Sequence, residues 1–583
     1  MERGLPISWK LKKKVKEALA KERGTVYKDH GGKVRVCLIY PNSYSLGMTN
    51  LGFQTVYHLF NSLDGCVAER AFLPGKEEIE EFARTSTSLF SYESQTPLRE
   101  FDILAFSIPF EDDYTNIPKI LDLAGVPVLS GERTGFRPLV AAGGVAVSLN
   151  PEPLAELMDF FLIGEGEGAL APVIDIFRDA NEKGLSKKET LKGLDSVPWA
   201  YVPSFYQYVF DGARIKEVRV EAGAKEKVTA LKDFNLDKYP VPQNFIMTPD
   251  TEFKDTFLIE VERGCGRGCR FCAAGFLYLP PRWRDIDNVK EAVKTGLDGS
   301  GKVGLVGTAV SEYPQIIDTI EFGVEREGEV TLSSLRMDRL DGNLLGLLKK
   351  SGYKTITLAP EAGSERMRAV VNKGMSNDDI LASIRLIKEA GFLKLKLYFL
   401  IGLPSEEDSD AEAIVGLTKD MKSVLEKGEI TLSINPFIPK PFTPFQWQAF
   451  EDPSVIDRRL SIIQKGFSKV NGVNVKALSS REAFIQAYIG RADRRAGPLI
   501  IEASSKGWSR VIKKNSGLLN QSVYMERARE ERLPWDMIDH GVKKPYLWKE
   551  YQKGLEGRLT APCDVGSCFR CGVCLPEYFN YEN

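Results

Sequence analysis

Residues 261–276 read V-E-R-G-C-G-R-G-C-R-F-C-A-A-G-F, and the three thiols in this run, Cys265, Cys269 and Cys272, constrain the chain more than any other feature. They follow an apolar, strand-like stretch (Phe257, Leu258, Ile259, Val261) and lie among four glycines, so one tight loop can turn all three onto a single centre. Zinc sites favour four ligands, usually as paired C-x2-4-C units, and no fourth Cys or His stands nearby. Three thiolates suit a four-iron, four-sulfur cluster in which one iron lacks a protein ligand and stays open to a small chelating molecule.

The rest of the composition limits the alternatives. With 583 residues, 43% of them apolar, the chain can build three or four ordinary cores. A formal charge of −2 gives no overall basic field for a polyanion, so any such surface must be local. No N-terminal signal-like stretch and no 18-residue apolar run appear, so a cytoplasmic protein without a membrane span is expected. Seven of nine cysteines fall in two groups, 265–272 and 563–574, which in a cytosolic chain reads as metal sites. Cys37 and Cys66 read as small buried hydrophobes.

Residues 1–33 form a charged helical leader. From 34 to about 200, short apolar strands (from Val34, then 103–108, 127–129, 139–142 and 160–163) alternate with helical patterns at 53–63, 116–124 and 154–158. That alternation predicts an α/β domain, an N-terminal doubly wound parallel sheet, whose ligands bind outside the carboxyl ends of the strands. Glycines there, Gly143, Gly144, Gly164 and Gly166, let the backbone approach a bulky ligand, although tight turns use the same residues. Residues 201–250 contain a strand pair and a proline-rich passage and read as a linker.

From 251 to 450, six strands alternate with helices, consistent with a partial (β/α)6 TIM-like barrel whose chemistry lies at the strand C-termini. The cysteine loop stands at the first such end. Strand six ends in N-P-F-I-P-K-P-F-T-P-F-Q-W (435–447), a stiff apolar wall expected at the barrel mouth, where it would keep water from a reactive species.

Residues 451–560 show helical periodicity and carry 21 Lys plus Arg against 13 Asp plus Glu. A local basic surface with Trp508, Trp535 and Trp548 is one reading, suited to RNA, and a solvated helical cap is the other. The tail, 561–583, holds Cys563, Cys568, Cys571 and Cys574, four thiols for one metal centre. The first three follow an iron–sulfur spacing, C-x4-C-x2-C, while the C-x2-C pairs equally suit zinc. The whole is thus α/β, a sheet domain then a partial barrel, followed by a mainly helical C-terminal region with a Cys cluster.

The cysteine loop, with Phe271 between the second and third thiols, resembles the signature loop of the radical SAM superfamily. The preceding order of strand, loop, strand, A-G-G, strand, G-E-G-E resembles the cobalamin-binding domain fused to many of its members, and the Pro-Lys-Pro, Thr-Pro-Phe-Gln string is similar to one in that group. The resemblance implies that Cys265, Cys269 and Cys272 hold a [4Fe-4S] cluster that reductively cleaves S-adenosylmethionine to a 5′-deoxyadenosyl radical. It implies that Gly307 and Thr308 lie at the methionine amino group, although the family's acidic Gly-Gly-Glu form is absent. Ser334 and Arg336 would meet the carboxylate, Glu361 the ribose and the backbone at Ile401 and Gly402 the adenine; for each, a turn or cap role stays open. The cobalt-ligating D-x-H-x-x-G is missing, and only His30, His58 and His540 are present. Cobalamin would therefore bind base-off with no His ligand. A small electron donor such as ferredoxin or flavodoxin is implied. The leading expectation is methylation of an unactivated carbon. Radical rearrangement or sulfur insertion, or a non-catalytic iron–sulfur protein that binds RNA or senses redox state, are the alternatives. The substrate is not named by the sequence, and no acid or base can be chosen among Asp112, Asp113, Tyr114 and Tyr398.

Overall fold

A computed structural model describes residues 8–333, 335–565 and 567–574. Its first sheet is built on β1 (Val34–Tyr40), a β-branched run that buries six of its seven residues. Parallel to it lie β2 (Cys66–Phe72), β3 (Ile103–Ser107), β4 (Leu139–Gly143) and β5 (Phe160–Leu162), with β6 (Ala200–Tyr201) antiparallel at the edge. The spatial order is β2-β1-β3-β4-β5-β6. Where chain order reverses beside β1, a crevice opens at the carboxyl ends of the strands, the usual place for a ligand in such sheets.

Strand β2 escapes a search for apolar runs because Glu69 and Arg70 interrupt it. Both are nevertheless buried, since Arg70 pairs with Glu93 at 2.6 Å and with Glu22 at 2.7 Å, which removes the cost of an isolated charge. The helix that follows, Lys76–Thr85, was likewise not expected. The stretch 127–129 forms no strand, and of the helix expected at 154–158 there is only a 3-10 turn at Glu152–Leu154. The region expected to be a linker contains the antiparallel hairpin β7 (Tyr206–Asp211) and β8 (Arg214–Val220), then β9 (Val228–Thr229).

In the second half, β10 (Phe257–Glu260) leads through Val261 to β11 (Glu262–Arg263), which pairs with β12 (Arg282–Trp283). Five more parallel strands follow in chain order: β13 (Lys302–Val306), β14 (Glu329–Leu332), β15 (Thr355–Glu361), β16 (Lys394–Ile401) and β17 (Glu429–Pro436). Side chains repeat with period two along them, so Ile259 lies opposite Leu305, Leu397 opposite Leu432 and Phe399 opposite Ile434, all fully buried. Two ladders result, β10-β13-β14 and β15-β16-β17 with β18 (Val473–Ala477) at its edge, and the Leu335 N–H donates to the Thr357 carbonyl at 3.2 Å between them.

The last strand of the second ladder, β18, comes from the region read as helical. It is short and mostly solvent-facing, so it carries little apolar signal. Elsewhere that region is helical, at Pro453–Phe467, Ser480–Arg491, Gly497–Lys506, Trp508–Tyr524 and Lys544–Leu555, with β19 (Ile538–Asp539) returning to pair with β9.

Some of the basic residues there are engaged within the chain, while others, Lys465, Arg510, Lys513 and Lys514 among them, are exposed. Arg491 is fully buried and donates to the carbonyls of Gln448 and Met525, while Arg494 pairs with Glu152 at 2.9 Å and Arg495 with Asp493 at 2.8 Å. Trp535 is buried and donates to Gln446, and Trp508 donates to Thr115. Arg491, Arg494, Arg495, Trp508 and Trp535 are thus taken up in internal contacts, while the exposed cations lie elsewhere in the region. No described helix is long and apolar enough to cross a membrane.

Truncating Leu305, which sits between Ile259 and Leu332 at the centre of the first ladder, leaves a cavity the ladder cannot collapse into. Leu305→Ala should lower stability by about 2–5 kcal/mol. Leu393→Ala, at a half-exposed position, should fall within about 0.5 kcal/mol of the parent. Urea unfolding followed by tryptophan fluorescence compares the two.

Candidate active site

The cysteine loop fills the chain between β11 and β12, whose pairing closes it at its base. Its first turn needs a glycine: Gly264 has φ +90°, and a Cβ there would lie 2.2 Å from the Tyr278 carbonyl oxygen. Between the second and third thiols, Arg270 is fully buried and holds the loop from beneath. Its guanidinium donates to the carbonyls of Ala369 and Val370 at 3.0 Å and pairs with Glu550 at 3.2 Å, and its amide donates to Val371. Phe271 packs on a second apolar cluster containing Phe276, Met367, Phe437, Phe445, Trp447 and Tyr551. That is also where most aromatics of 435–447 lie, so the expected wall is buried packing between the cysteine loop and the helix Lys544–Leu555, not the lining of a mouth.

The three thiols lie close enough to interact electrostatically. Burial, then the neighbouring sulfur of Cys269, pushes Cys272 up to about 12, and burial likewise raises Cys265 to about 11 and Cys269 above its usual value. Such thiols ionise only against a strong positive charge, which a metal centre supplies. Among the described residues no three Cys, His, Asp or Glu side chains close on a single ion. An iron–sulfur cube makes a different demand, because its three thiolates bind three different irons and stand farther apart.

Around this loop the strand ends contribute charged groups. Arg336 lies near Cys265 and Cys269 and is held by Asp338 at 3.0 Å, while Arg267 pairs with Glu312 and, at 3.3 Å, with Asp338. Glu361, in left-handed backbone at φ +67°, lies near Cys269 and Cys272 and faces Lys373 at 3.4 Å. Lys373 was not identified from sequence. It sits after a helix and not at a strand end, and only the fold brings it here. The backbone groups expected to read adenine are already engaged: the Ile401 carbonyl accepts from Phe437 N–H at 2.7 Å, and Gly402 N–H donates to Glu406. Ser334 lies outside the described residues.

On the other side of the loop a cavity of about 690 Å³ opens between the two halves of the chain. The sheet ends wall it with Asn50–Gly52, Ser107, Gly143, Gly144, Gly164 and Gly166, and the second half with Glu262, Cys272, Gly307 and Thr308. The four sheet glycines, Gly307, Thr308 and one of the three thiols thus line one cavity. Two of the glycines are required by the backbone: a Cβ on Gly144 would stand 2.6 Å from the Ile108 oxygen, and one on Gly164 2.2 Å from that of Leu231. None of the three histidines lines the cavity. His30 pairs with Glu69, His58 stacks on Phe245 and His540 bonds the Ser148 carbonyl. Asp112, Asp113 and Tyr114 are held by Gln486, Asn42 and the Asn150 carbonyl, away from it.

Two groups that sequence reading missed hold this arrangement. Glu262 is almost wholly buried and accepts from Ala309 N–H at 2.5 Å, pinning the turn that carries Gly307 and Thr308. Thr308 in turn accepts from Gly264 N–H at 3.3 Å. Burial lifts the Glu262 carboxyl to about 7, with Glu260 and Glu312 adding to the rise. The second group is an arginine clamp. Arg263 makes a forked pair with Glu167 (2.6 and 3.2 Å) and meets Glu260 at 2.7 Å, while Arg282 makes a forked pair with Glu165 (2.6 and 3.0 Å). The G-E-G-E loop of the first sheet is thereby tied to the base of the cysteine loop.

A parallel-sheet domain whose strand ends face a three-thiol loop at the first strand end of a second parallel sheet defines a radical SAM protein, and the chain belongs to that superfamily. The model of the radical SAM superfamily matches residues 259–418, and that of the N-terminal part of radical SAM proteins matches residues 52–203. An uncharacterized protein of Methanocaldococcus jannaschii is 30% identical over 461 residues, 79% of this chain and 88% of its own. The tRNA-2-methylthio-N(6)-dimethylallyladenosine synthase of a Ruegeria species is 23% identical over 310 residues, 49% of this chain and 66% of its own. Among solved structures, the radical S-adenosylmethionine methyltransferase TsrM of Kitasatospora setae, with cobalamin and a [4Fe-4S] cluster bound, superposes with a TM-score of 0.50 at 12% identity, over 81% of this chain and 99% of that one. The fold is shared with it.

Arg263→Ala should strand Glu167 in a buried site and cost about 3–5 kcal/mol of stability, read as a fall in thermal midpoint. The raised Glu262 carboxyl makes a second prediction. Its folded form holds its proton to higher pH than the unfolded chain does, so its contribution to stability is full below about pH 4.5 and is lost as pH rises through about 7. Glu262→Gln should therefore flatten the decline in stability between those values, which unfolding across a pH series measures.

Proposed function

We propose that the chain is a cobalamin-dependent radical SAM methyltransferase acting on an unactivated carbon. The observation that carries this reading is the single cavity shared by the glycine-lined ends of the first sheet and by Cys272, Gly307 and Thr308. Its volume lies within the range of ligand sites, and its walls are mainly apolar, with Leu38, Val56 and Leu59 among them. Such walls suit a flat macrocycle better than a nucleotide's phosphates. At Gly166 a Cβ would already touch Val56 at 3.4 Å, so a larger side chain there would enter the cavity.

The bound groups would supply an electron for cleaving S-adenosylmethionine and a transferable methyl group; the chain supplies their placement. Cys265, Cys269 and Cys272 would hold the cluster. Glu262 fixes the turn at Gly307 and Thr308. Arg336, with Asp338 already on part of its fork, offers remaining N–H groups to a carboxylate. Arg263 and Arg282 tie the two walls of the cavity together through Glu167 and Glu165. No imidazole stands in the lining, so the chain would offer a corrin no histidine ligand. The two ladders of the second half would act as one partial barrel. A substrate is not chosen by any residue of the cavity.

A second reading, sulfur insertion, is favoured by one observation, the packing of the tail cysteines against the cysteine loop. The two readings differ in their products, a mass gain of one methyl group against one of sulfur.

The test is anaerobic reconstitution with iron, sulfide and hydroxocobalamin. The parent should show a corrinoid spectrum and form 5′-deoxyadenosine under strong reductant. Cys269→Ala should abolish that product while keeping the corrinoid bands, and Gly166→Phe should lose the corrinoid while keeping iron. A parent that takes up no corrinoid would overturn the cobalamin part of the reading. Absence of S-adenosylmethionine cleavage would overturn the enzyme assignment itself.

A further inference from the structure

The tail cysteines do not form an independent appendage. Cys563 N–H donates to the carbonyl of Gly266, the residue after Cys265, at 2.6 Å. The approach is so close that a Cβ on Gly266 would stand 3.1 Å from the Cβ of Cys563. Asn372 joins the same two segments, donating to the carbonyls of Arg267 and Gly268 at 3.2 Å and accepting from Thr560 N–H at 2.8 Å. Arg270, between two thiols of the loop, donates to the Arg558 carbonyl at 2.6 Å. Such specific backbone contact is more than is needed to cover a surface.

The four tail thiols are themselves grouped. The Cys568 N–H donates to the Asp564 carbonyl at 3.0 Å, which turns the segment between the first two thiols back on itself. Cys571 and Cys574 are buried, and the Cys571 carbonyl accepts from Lys543 N–H. Cys568 lies nearer solvent, next to exposed Phe569 and Arg570, and the Arg570 Nε donates to its sulfur at 3.2 Å. A small cleft between the groups is lined by Gly266, Gly268 and Gly275 on one side and Cys563, Cys568 and Cys571 on the other. It shares no residue with the large cavity, which meets the loop through Cys272.

We propose that Cys563, Cys568, Cys571 and Cys574 hold a second iron–sulfur cluster that serves as the electron inlet to the centre on Cys265, Cys269 and Cys272. The inference rests on the radical SAM reading of that loop. The route runs from the Cys568 side, through the Cys563 N–H to Gly266 carbonyl bond, to Cys265. One electron enters the tail centre from a reduced flavodoxin- or ferredoxin-class protein, which is oxidised by one electron. The same electron then passes to the loop centre, returning the tail centre to its oxidised state, and no atom is exchanged. Phe569 and Arg570 mark the face for the donor, an apolar contact beside a cation suited to an acidic protein.

The full chain is reconstituted anaerobically with ferrous iron and sulfide. Cys265→Ala/Cys269→Ala/Cys272→Ala should retain about four irons and four sulfides, with a reduced-state EPR signal of its own, as four thiolates can hold. Zinc in place of iron, or no metal, would overturn the site. In the parent, the reduced spectrum should show spin coupling and differ from the sum of the separate centres; a simple sum would overturn the proximity the relay needs. Cys568→Ala/Cys571→Ala should cleave S-adenosylmethionine with dithionite within about threefold of the parent, yet at least tenfold more slowly with reduced flavodoxin. Equal rates with flavodoxin would refute the relay and leave the radical SAM reading intact. Failure of the parent itself with dithionite would instead refute that reading. Because the double variant removes a buried thiol, Arg570→Met provides a check at an exposed position. It should shift the midpoint of the tail signal alone, and an unmoved tail signal would count against a cluster at Cys568.

Discussion

Two arginines with little solvent exposure determine how the halves of this chain face each other. Arg263 and Arg282 emerge from the paired strands β11 and β12 at the base of the cysteine loop and bind Glu167 and Glu165 of the first sheet through forked, charge-assisted pairs. Neither charge could be left in that interior alone, because removing a partner from a buried pair costs far more than an exposed one contributes. The pairs therefore act as a register device. They hold the glycine-lined strand ends opposite Cys272 and so define the cavity on which the functional reading depends.

The same loop is supported from three directions. Toward the cavity, Glu262 fixes the turn at Gly307 and Thr308. Beneath, Arg270 is surrounded by the carbonyls of 369, 370 and 558 and by Glu550. Behind, the tail meets Gly266. A loop of four glycines would by itself be mobile, since glycine loses more freedom on ordering than any other residue. Here the surrounding hydrogen bonds supply the rigidity, and the glycines permit backbone to approach where no side chain fits. An open iron site gains from such a scaffold, because its thiols are too buried to ionise alone and must be presented together.

Burial of charge recurs as the means by which this chain departs from simple patterns. Arg70 with Glu93 and Glu22 allows a fully buried strand with charges in it, and Arg491 and Arg494 turn a basic run into internal fastening. Composition alone reads such residues as surface. Their partners are distant in sequence, Arg494 and Glu152 being an example, so only the folded chain reveals them.

What the sequence determined by itself was whatever depends on near neighbours: the three-thiol loop, the strand ends that carry glycine, the period-two core of β16 and β17, and the grouping of the tail cysteines. Each is encoded within a few residues, by side-chain spacing or by the conformations glycine allows. Tertiary structure alone decided the rest. It placed Lys373 beside the thiols, engaged the backbone at Ile401 and Gly402, buried the aromatics of 435–447 and set Cys563 against Gly266. Those outcomes turn on which distant groups meet in a low-dielectric interior, where an unpaired charge or amide is costly, and no local spacing records that choice.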